Sequence, residues 1–459
     1  MIAVTSAAAL ALVCPPAGAQ DVPPSPPVDP PPTGPETPTA PAEAVATPPQ
    51  PPPEVPPAAA AAQPPPAPTT EVAPPAAAGP ARTADPDDTF LLPADDPRVP
   101  TFMRALRAGK DSLLLGGWLR PGFVYVADTA FNDDDAEGFE FADARLIGLG
   151  DMSIAHGLGA GFRFDFDVNR GNFTVRDVYG SLTYRKDLVA LDVGQLKTPL
   201  SLSLLQTQAK MQFPTHSLVA QLSFDRDIGA QLRTDFPIGP VWFHVAAMLA
   251  NGDGGFRQRR NIDDEFLYVG RLEVAPFGRM ERTEPDLTHS DFQLTAGFSA
   301  GRNGALGNDL GLQDAGATET KVEGDLRAWF KGASVRGEYL RGFRGDTAAS
   351  PGYQRYGFAV QAGYVLPVPI QLPLFELVAR WQQVDVNTDL DGTEGADYVV
   401  DNTETRILQF GGNVYLAKHA VKLHLMYQLT DLLEGPRVDG NGDVLFGDAF
   451  MAFMQFAWL

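Results

Sequence analysis

The chain is nearly without cysteine: Cys14 is the single one in 459 residues. It lies in the first apolar stretch, so disulfides, thiolate-bound metals and cysteine nucleophiles are excluded from everything downstream. Long apolar runs are also missing. No stretch of ~20 apolar residues occurs, so no transmembrane helix is expected. Histidine is scarce, six in all, and without metal-ligand spacing; His419 and His424 fall on opposite faces of a strand. Positive charge is the minority sign. The 35 Lys and Arg against 57 Asp and Glu give a net charge of −22, which argues against nucleic acid as a partner. No G-x-S-x-G, P-loop or G-x-G-x-x-G sequence is present, so no enzyme chemistry and no cofactor are expected. "DGNGD" carries Asp439, Asn441 and Asp443 at the first three ligand positions of a calcium loop. Val444 then stands where glycine is needed and Phe450 where the bidentate glutamate belongs, so no metal is expected either.

Proline is abundant, and unevenly spread. About 30 of the 42 prolines lie in the first 100 residues, among runs of alanine. Such a region cannot bury enough apolar surface to form a core. Residues 1–19 read as a secretory signal: Ala7 to Val13 is a short apolar run, and "AGA" at Ala17 to Ala19 is an A-x-A cleavage site. Residues 20–100 read as an extended, disordered, polyproline-like tether. Residues 101–111 are a short connecting segment, and 112–459 is the folded part.

From residue 112 onward, period-2 segments recur. "AGFRFDFDVN" puts Phe162, Phe164 and Phe166 on one face and Arg163, Asp165 and Asp167 on the other. "KVEGDLRAWF" does the same with Leu326, Ala328 and Phe330 against Glu323, Asp325 and Arg327. The segments start near residues 113, 138, 159, 173, 187, 227, 241, 265, 290, 320, 333, 353, 373, 403, 419 and 446. Short connections ("PIGP", "KGA", "AKHA") alternate with long ones ("NGDGGFRQRRNIDD", "DLLEGPRVDGNGD"). A soluble sandwich also alternates, but nothing sorts its loops by length. The fold class expected is all-β: a transmembrane antiparallel barrel of about 16 strands, apolar face to lipid and polar face to a lumen. Trp118, Tyr125, Tyr184, Tyr339, Tyr364 and Trp381 suit interfacial girdles, or ordinary strand packing.

One connection does not read as a solvated loop. "LKTPLSLSLLQTQAKMQFPTHSLVAQLSFDRD" carries Leu200, Leu202, Leu204, Leu205, Met211 and Phe213. Counted from a periplasmic N-terminus it is the third external loop, and apolar residues at that density must be buried. In a wide barrel the lumen is the place for it, which makes Lys197, Gln206, Lys210 and His216 the expected constriction residues. Strand parity places Arg163, Arg233, Arg271, Arg327, Arg336, Arg380 and Lys422 on the lumen face. Asp165, Asp177, Asp192, Glu323 and Glu376 share it, with Asp235, Glu273 and Glu338 sharing or bordering it. Rings of Lys and Arg select anions, whereas paired charges make a general pore wall; both readings stand. Basic "RQRR", Arg257 to Arg260, suits anion recruitment, a solvated loop or lipopolysaccharide.

"VGQLKTPLSLSLLQTQAKMQFPTHSLV" followed by "FDRDIGAQL" resembles the phosphate-selective porin O/P family. So do "FADARLIGLGDM", with Phe141 and Ala144-Arg145-Leu146, and "VRDVYGSL", with Asp177 and Tyr179. The resemblance spans about 112–459 and is strongest from Phe139 to Leu232. It implies a 16-stranded trimeric barrel with a folded-in third loop that passes small anions such as phosphate. The family's phosphate-binding lysines do not transfer residue by residue, and the Pro-rich region has no counterpart. The expected function is an outer-membrane porin for small hydrophilic solutes. Its partners would be outer-membrane lipid and lipopolysaccharide, and its tail would contact peptidoglycan. The alternatives are a general diffusion porin and a structural barrel tied to the cell wall by that tail.

Overall fold

A computed structural model describes residues 112–126, 137–169, 172–185, 188–255, 261, 264–305, 316–347, 351–367, 373–386, 388, 404–433 and 448–458. All lie within one unit, Pro75–Leu459. The signal, tether and connecting segment, the "RQRR" run and "DGNGD" lie outside the described residues.

The described residues form sixteen strands. β1 (Ser112–Val126), β2 (Glu137–Ala155), β3 (Leu158–Asn169) and β4 (Asn172–Tyr184) lead into β5 (Val189–Lys197) and β6 (Arg226–Ile238). β7 (Val241–Ala250), β8 (Leu267–Ala275), β9 (Gln293–Asn303), β10 (Glu319–Phe330) and β11 (Ala333–Arg344) follow. β12 (Gln354–Val365), β13 (Leu374–Asp385), β14 (Thr405–Ala417), β15 (Val421–Leu432) and β16 (Ala449–Trp458) complete the set. Every start lies within three residues of the position read from the alternation. Each strand pairs antiparallel with its sequence neighbours, and β16 closes on β1 with Gly117 opposite Trp458 and Val126 opposite Ala449. Closure leaves no unpaired edge, as a sheet in hydrocarbon requires.

Burial is inside-out relative to a soluble protein. On β10, Lys321, Glu323, Asp325 and Arg327 are buried while Leu326 and Phe330 are about half exposed. Phe162, Leu182, Phe298, Leu377 and Phe456 stand outward in the same way. This apolar wall is the surface that lipid demands. No helix among the described residues is long and apolar enough to cross a membrane; the apolar wall is made by strands. Tyr125, Tyr184, Tyr339, Tyr364 and Trp381 face outward. Trp118 does not, which corrects its girdle reading: it is fully buried, and its Nε1 donates to Asp143 at 2.6 Å.

The two-residue turns His156-Gly157 and Lys331-Gly332 have positive φ at both positions. Such mirror-image turns match the strand twist, and glycine takes the second position without a Cβ penalty. Turns at one barrel end are short, among them 156–157, 239–240, 331–332 and 418–420. The opposite end carries 198–225, 251–266 and 304–318. At the short-turn end, 276–292, between β8 and β9, is long.

The buried apolar clusters gather around residues 198–225. This segment holds two four-residue helices, α1 (Leu202–Leu205) and α2 (Val219–Leu222), and a 3-10 turn at Gln208–Lys210. Ser201 caps α1, its Oγ accepting from the Leu204 N–H at 3.3 Å. Leu200, Leu218, Val219 and Leu222 pack on Met248, Leu267, Val269, Leu340, Ala359, Val384 and Ile407. Phe213 packs on Val378, Met426, Met451 and Phe453, and Ala209 joins Trp118, Ile147, Leu149 and Ala457. Each fully buried Leu or Phe contributes roughly 1.5–3 kcal/mol, which is what holds an irregular segment of this length in one place.

Candidate functional site

The inward side chains meet the backbone of residues 198–225, which lacks a ladder of its own. Each buried N–H and C=O there needs another partner. Lys422 Nζ donates to Met211 O at 2.5 Å, Arg380 Nη1 to Thr215 O at 3.0 Å and Arg271 Nη1 to Leu200 O at 3.2 Å. Arg120 donates to Pro214 O, Asn413 to Gln212 O and Gln455 to Ala209 O. Carboxylates serve the donors: Ser203 N reaches Glu338 at 3.2 Å and Leu202 N reaches Glu323 at 3.3 Å. Gln212 Nε2 donates to Glu376, which also accepts from Tyr415 Oη at 2.6 Å and Asn413 Nδ2 at 2.8 Å.

The remaining charge is arranged in cross-strand networks. On β1–β6, Arg120 pairs with Asp143, Arg145 with Asp165 and Asp167, and Arg163 with Asp165 and Asp177. Arg226 holds Asp177 at 2.7 Å and Arg233 holds Asp192 at 2.8 Å. On β8–β11, Arg271 takes Glu273, Glu323 and Asp325 at 2.7, 3.1 and 2.5 Å. Arg327 lies 3.5 Å from Glu273, and Arg336 joins Glu338 to Glu284. Buried charges are tolerated when paired in this way.

Between these networks lies a cavity of about 160 Å³, room for several waters or a small hydrated ion. Leu205 and Thr207 of the 198–225 segment close one side of it. Arg163, Lys197, Arg233, Arg279, Arg282 and Arg327 line it, against Asp177, Asp192, Asp235 and Glu273. Basic groups outnumber carboxylates by six to four around the cavity. Lys197 also reaches the chain of α1, donating to Leu204 O at 2.7 Å.

The residues singled out from the sequence divide into two sets. Lys197, Arg163, Arg233, Arg327, Asp177 and Asp192 are brought together at the cavity. Arg271, Arg336, Arg380, Lys422, Glu323 and Glu376 are not at the cavity and bond the 198–225 segment; Asp165, also away from it, pairs with Arg145 and Arg163. Gln206 Nε2 donates to Arg282 O at 2.7 Å. Lys210 is buried, and its carbonyl accepts from Glu284 N at 3.2 Å. The His216 imidazole is held well below its ordinary pKa by burial, with Lys197, Arg145, Arg336 and Arg226 adding repulsion, so it stays neutral. Sequence reasoning missed Arg279, Arg282 and Glu284, all on the 276–292 connection. The available signal was the spacing of the strands near 265 and 290, too wide for a tight turn.

The comparisons with known proteins agree with this architecture. The family described as phosphate-selective porin O and P matches residues 121–456. Among solved structures, OmpF of Salmonella typhi in complex with daunomycin aligns at 13% identity. It covers 76% of this chain and 98% of its own, with a TM-score of 0.52. A loop L8 deletion mutant of OmpT, an outer membrane protein of Vibrio cholerae, aligns at 14% identity. It covers 76% of this chain and 99% of its own, with a TM-score of 0.50. At these identities the likeness is one of fold. Among curated proteins there is no match to this chain. The family match spans well over half of the sequence, and the chain belongs to the phosphate-selective porin O and P family, whose members are outer-membrane channels.

Proposed function

We propose that this porin passes small hydrophilic anions, phosphate among them, through the cavity between β3–β10 and an inward-folded third external loop, residues 198–225. The observation that carries the reading is the excess of basic groups around the cavity described above, which Leu205 and Thr207 also line. A charge at a constriction acts on a permeating ion more strongly than one on a wide wall, because less water screens it. Lys197, Arg163, Arg233 and Arg327 form the basic side of the path, and Asp177 and Asp192 temper it. Gln206, Lys210 and His216 shape the loop rather than touch the solute. The loop is a fixed constriction because side chains of β1, β8, β13, β15 and β16 hold its backbone.

Further parts of the reading are a homotrimer in the outer membrane and a periplasmic tail, residues 20–100, that follows a cleaved signal at 1–19 and reaches toward peptidoglycan. The test of the central claim is single-channel recording on the purified full-length protein. Stepwise conductance with a zero-current potential of anion sign in a salt gradient is expected. Stepwise conductance without that sign makes it a general diffusion porin. A second reading, a structural barrel tied to the cell wall, is favoured by how densely the 198–225 segment fills the space inside the strands; it requires no stepwise conductance at all.

A further inference from the structure

We propose that residues 276–292, the β8–β9 connection, are a second constriction of the pore. They enter from the short-turn end, clasp residues 198–225 through Glu284, and give the passage two of its basic groups, Arg279 and Arg282. The inference rests on the porin reading.

The base of the connection is pinned to neighbouring turns. Asp286 is fully buried; its carboxylate accepts from Ser290 N at 2.8 Å and from Gly332 N, in the β10–β11 turn, at 2.8 Å. Lys331 N donates to Ser290 O at 2.8 Å. Above this base the chain runs inward. Met280, Thr283 and Glu284 are buried, and Thr283 Oγ1 lies 3.0 Å from His419 Nε2 in the β14–β15 turn. A turn that only joined β8 to β9 would have no reason to reach that far.

The inner end meets the 198–225 segment at three points. Gln206 Nε2 donates to Arg282 O at 2.7 Å, Glu284 N to Lys210 O at 3.2 Å, and Gln212 N to Glu284 Oε2 at 2.6 Å. The Glu284 carboxylate also accepts from Arg336 Nη1 at 2.5 Å and Gln361 Nε2 at 2.8 Å, on β11 and β12. One buried carboxylate therefore joins both inserts to the wall. The donors it serves are buried too; removing it takes the acceptor from Gln212 N in a low-dielectric space, while Arg336 keeps Glu338 and Gln361 keeps Gln212 Oε1. Together the two inserts bond side chains of β11, β12, β13, β15 and β16. Arg279, Met280 and Arg282 are part of the wall of the cavity. Arg282 also lies 3.3 Å from Glu273, so its loss removes a positive charge and one of the three cations around that carboxylate.

The test uses full-length protein in planar bilayers, with folding verified by heat-modifiable gel mobility. Replacing residues 279–285 by a Gly-Ser turn is expected to raise unit conductance about twofold or more. Because that variant can fail to fold, two side-chain variants accompany it. Glu284→Gln is expected to loosen the clasp and add open-state noise. Arg279→Gln with Arg282→Gln is expected to move the zero-current potential toward cations. A silent wild type with a conducting turn-replacement variant also supports the inference. If the wild type conducts and all variants match its conductance, noise and zero-current potential, the inference is overturned and the porin reading stands. If neither wild type nor any variant conducts, the porin reading fails and the inference with it.

Discussion

On the wall formed by β13–β16, Arg380 and Lys422 donate to main-chain oxygens of Thr215 and Met211. On the wall formed by β3–β6, Arg163 and Arg233 face Asp165, Asp177 and Asp192 beside a cavity. All four side chains share one sequence signature, a basic residue on the polar face of a strand. The difference lies in what the 198–225 segment presents to them. Where it lies close, an inward cation becomes a clamp on backbone; where it leaves space, the cation meets carboxylates beside the cavity. Strand parity tells which way a side chain points, and the irregular segment decides what it is for.

The sharpest way to break that contrast is on the packed side. Arg271→Ala removes the partner of Glu273, Glu323 and Asp325 together with the bond to Leu200 O. A loss of about 3–5 kcal/mol is expected, read as a lower temperature of heat modification on gels. An unchanged temperature would mean that the network is not structural. Lys422→Met keeps the aliphatic stem and removes the bond to Met211 O. It is expected to cost about 1–3 kcal/mol and to leave the sign of ion preference unchanged. On the cavity side, Arg233→Gln is expected to change stability by about 1 kcal/mol or less. It should move the zero-current potential toward cations, because Asp192 loses its partner. Lys210→Gln, away from the cavity, should move it less; an equal shift from both would erase the distinction between the two walls.

Acid is expected to act most weakly. His419, in the β14–β15 turn, is held well below its ordinary pKa by burial, with Lys422, Lys210 and Lys418 adding repulsion. The folded chain therefore keeps it neutral, while the unfolded chain binds a proton below about pH 6.5. The associated stability is complete above that pH and is lost as pH falls toward the depressed folded value. The heat-modification temperature should drop on acidification, and His419→Gln should lessen the drop.

Strands were legible because lipid on one side and charge on the other impose period 2 on every one of them, as Phe162-Arg163-Phe164-Asp165 shows. Trp118 was misplaced although Leu113, Leu115 and Leu119 carry the outward parity of β1; an amphipathic ring overrode the count. The 276–292 connection was not legible, since "PFGRMERTEPDLTHSD" alternates with nothing and its partners, Gln212, Gln361 and His419, are remote in sequence. The same limit hid the split between clamp and cavity residues. It depends on where the 198–225 segment lies, and no local pattern states that.

Gln455, on the last strand, donates to Ala209 O across 246 positions of chain, and Arg120, on the first, donates to Pro214 O. The two strands that seal the ring thus hold the middle of the same segment. Seating of that segment and joining of β1 to β16 are therefore expected to be coupled in assembly. An unsealed ring carries its central segment without two of its holds, and contacts this distant in sequence make the step slow. On the proposed function, a partly assembled chain is expected to lack the finished passage, the pore taking its final width as the barrel closes.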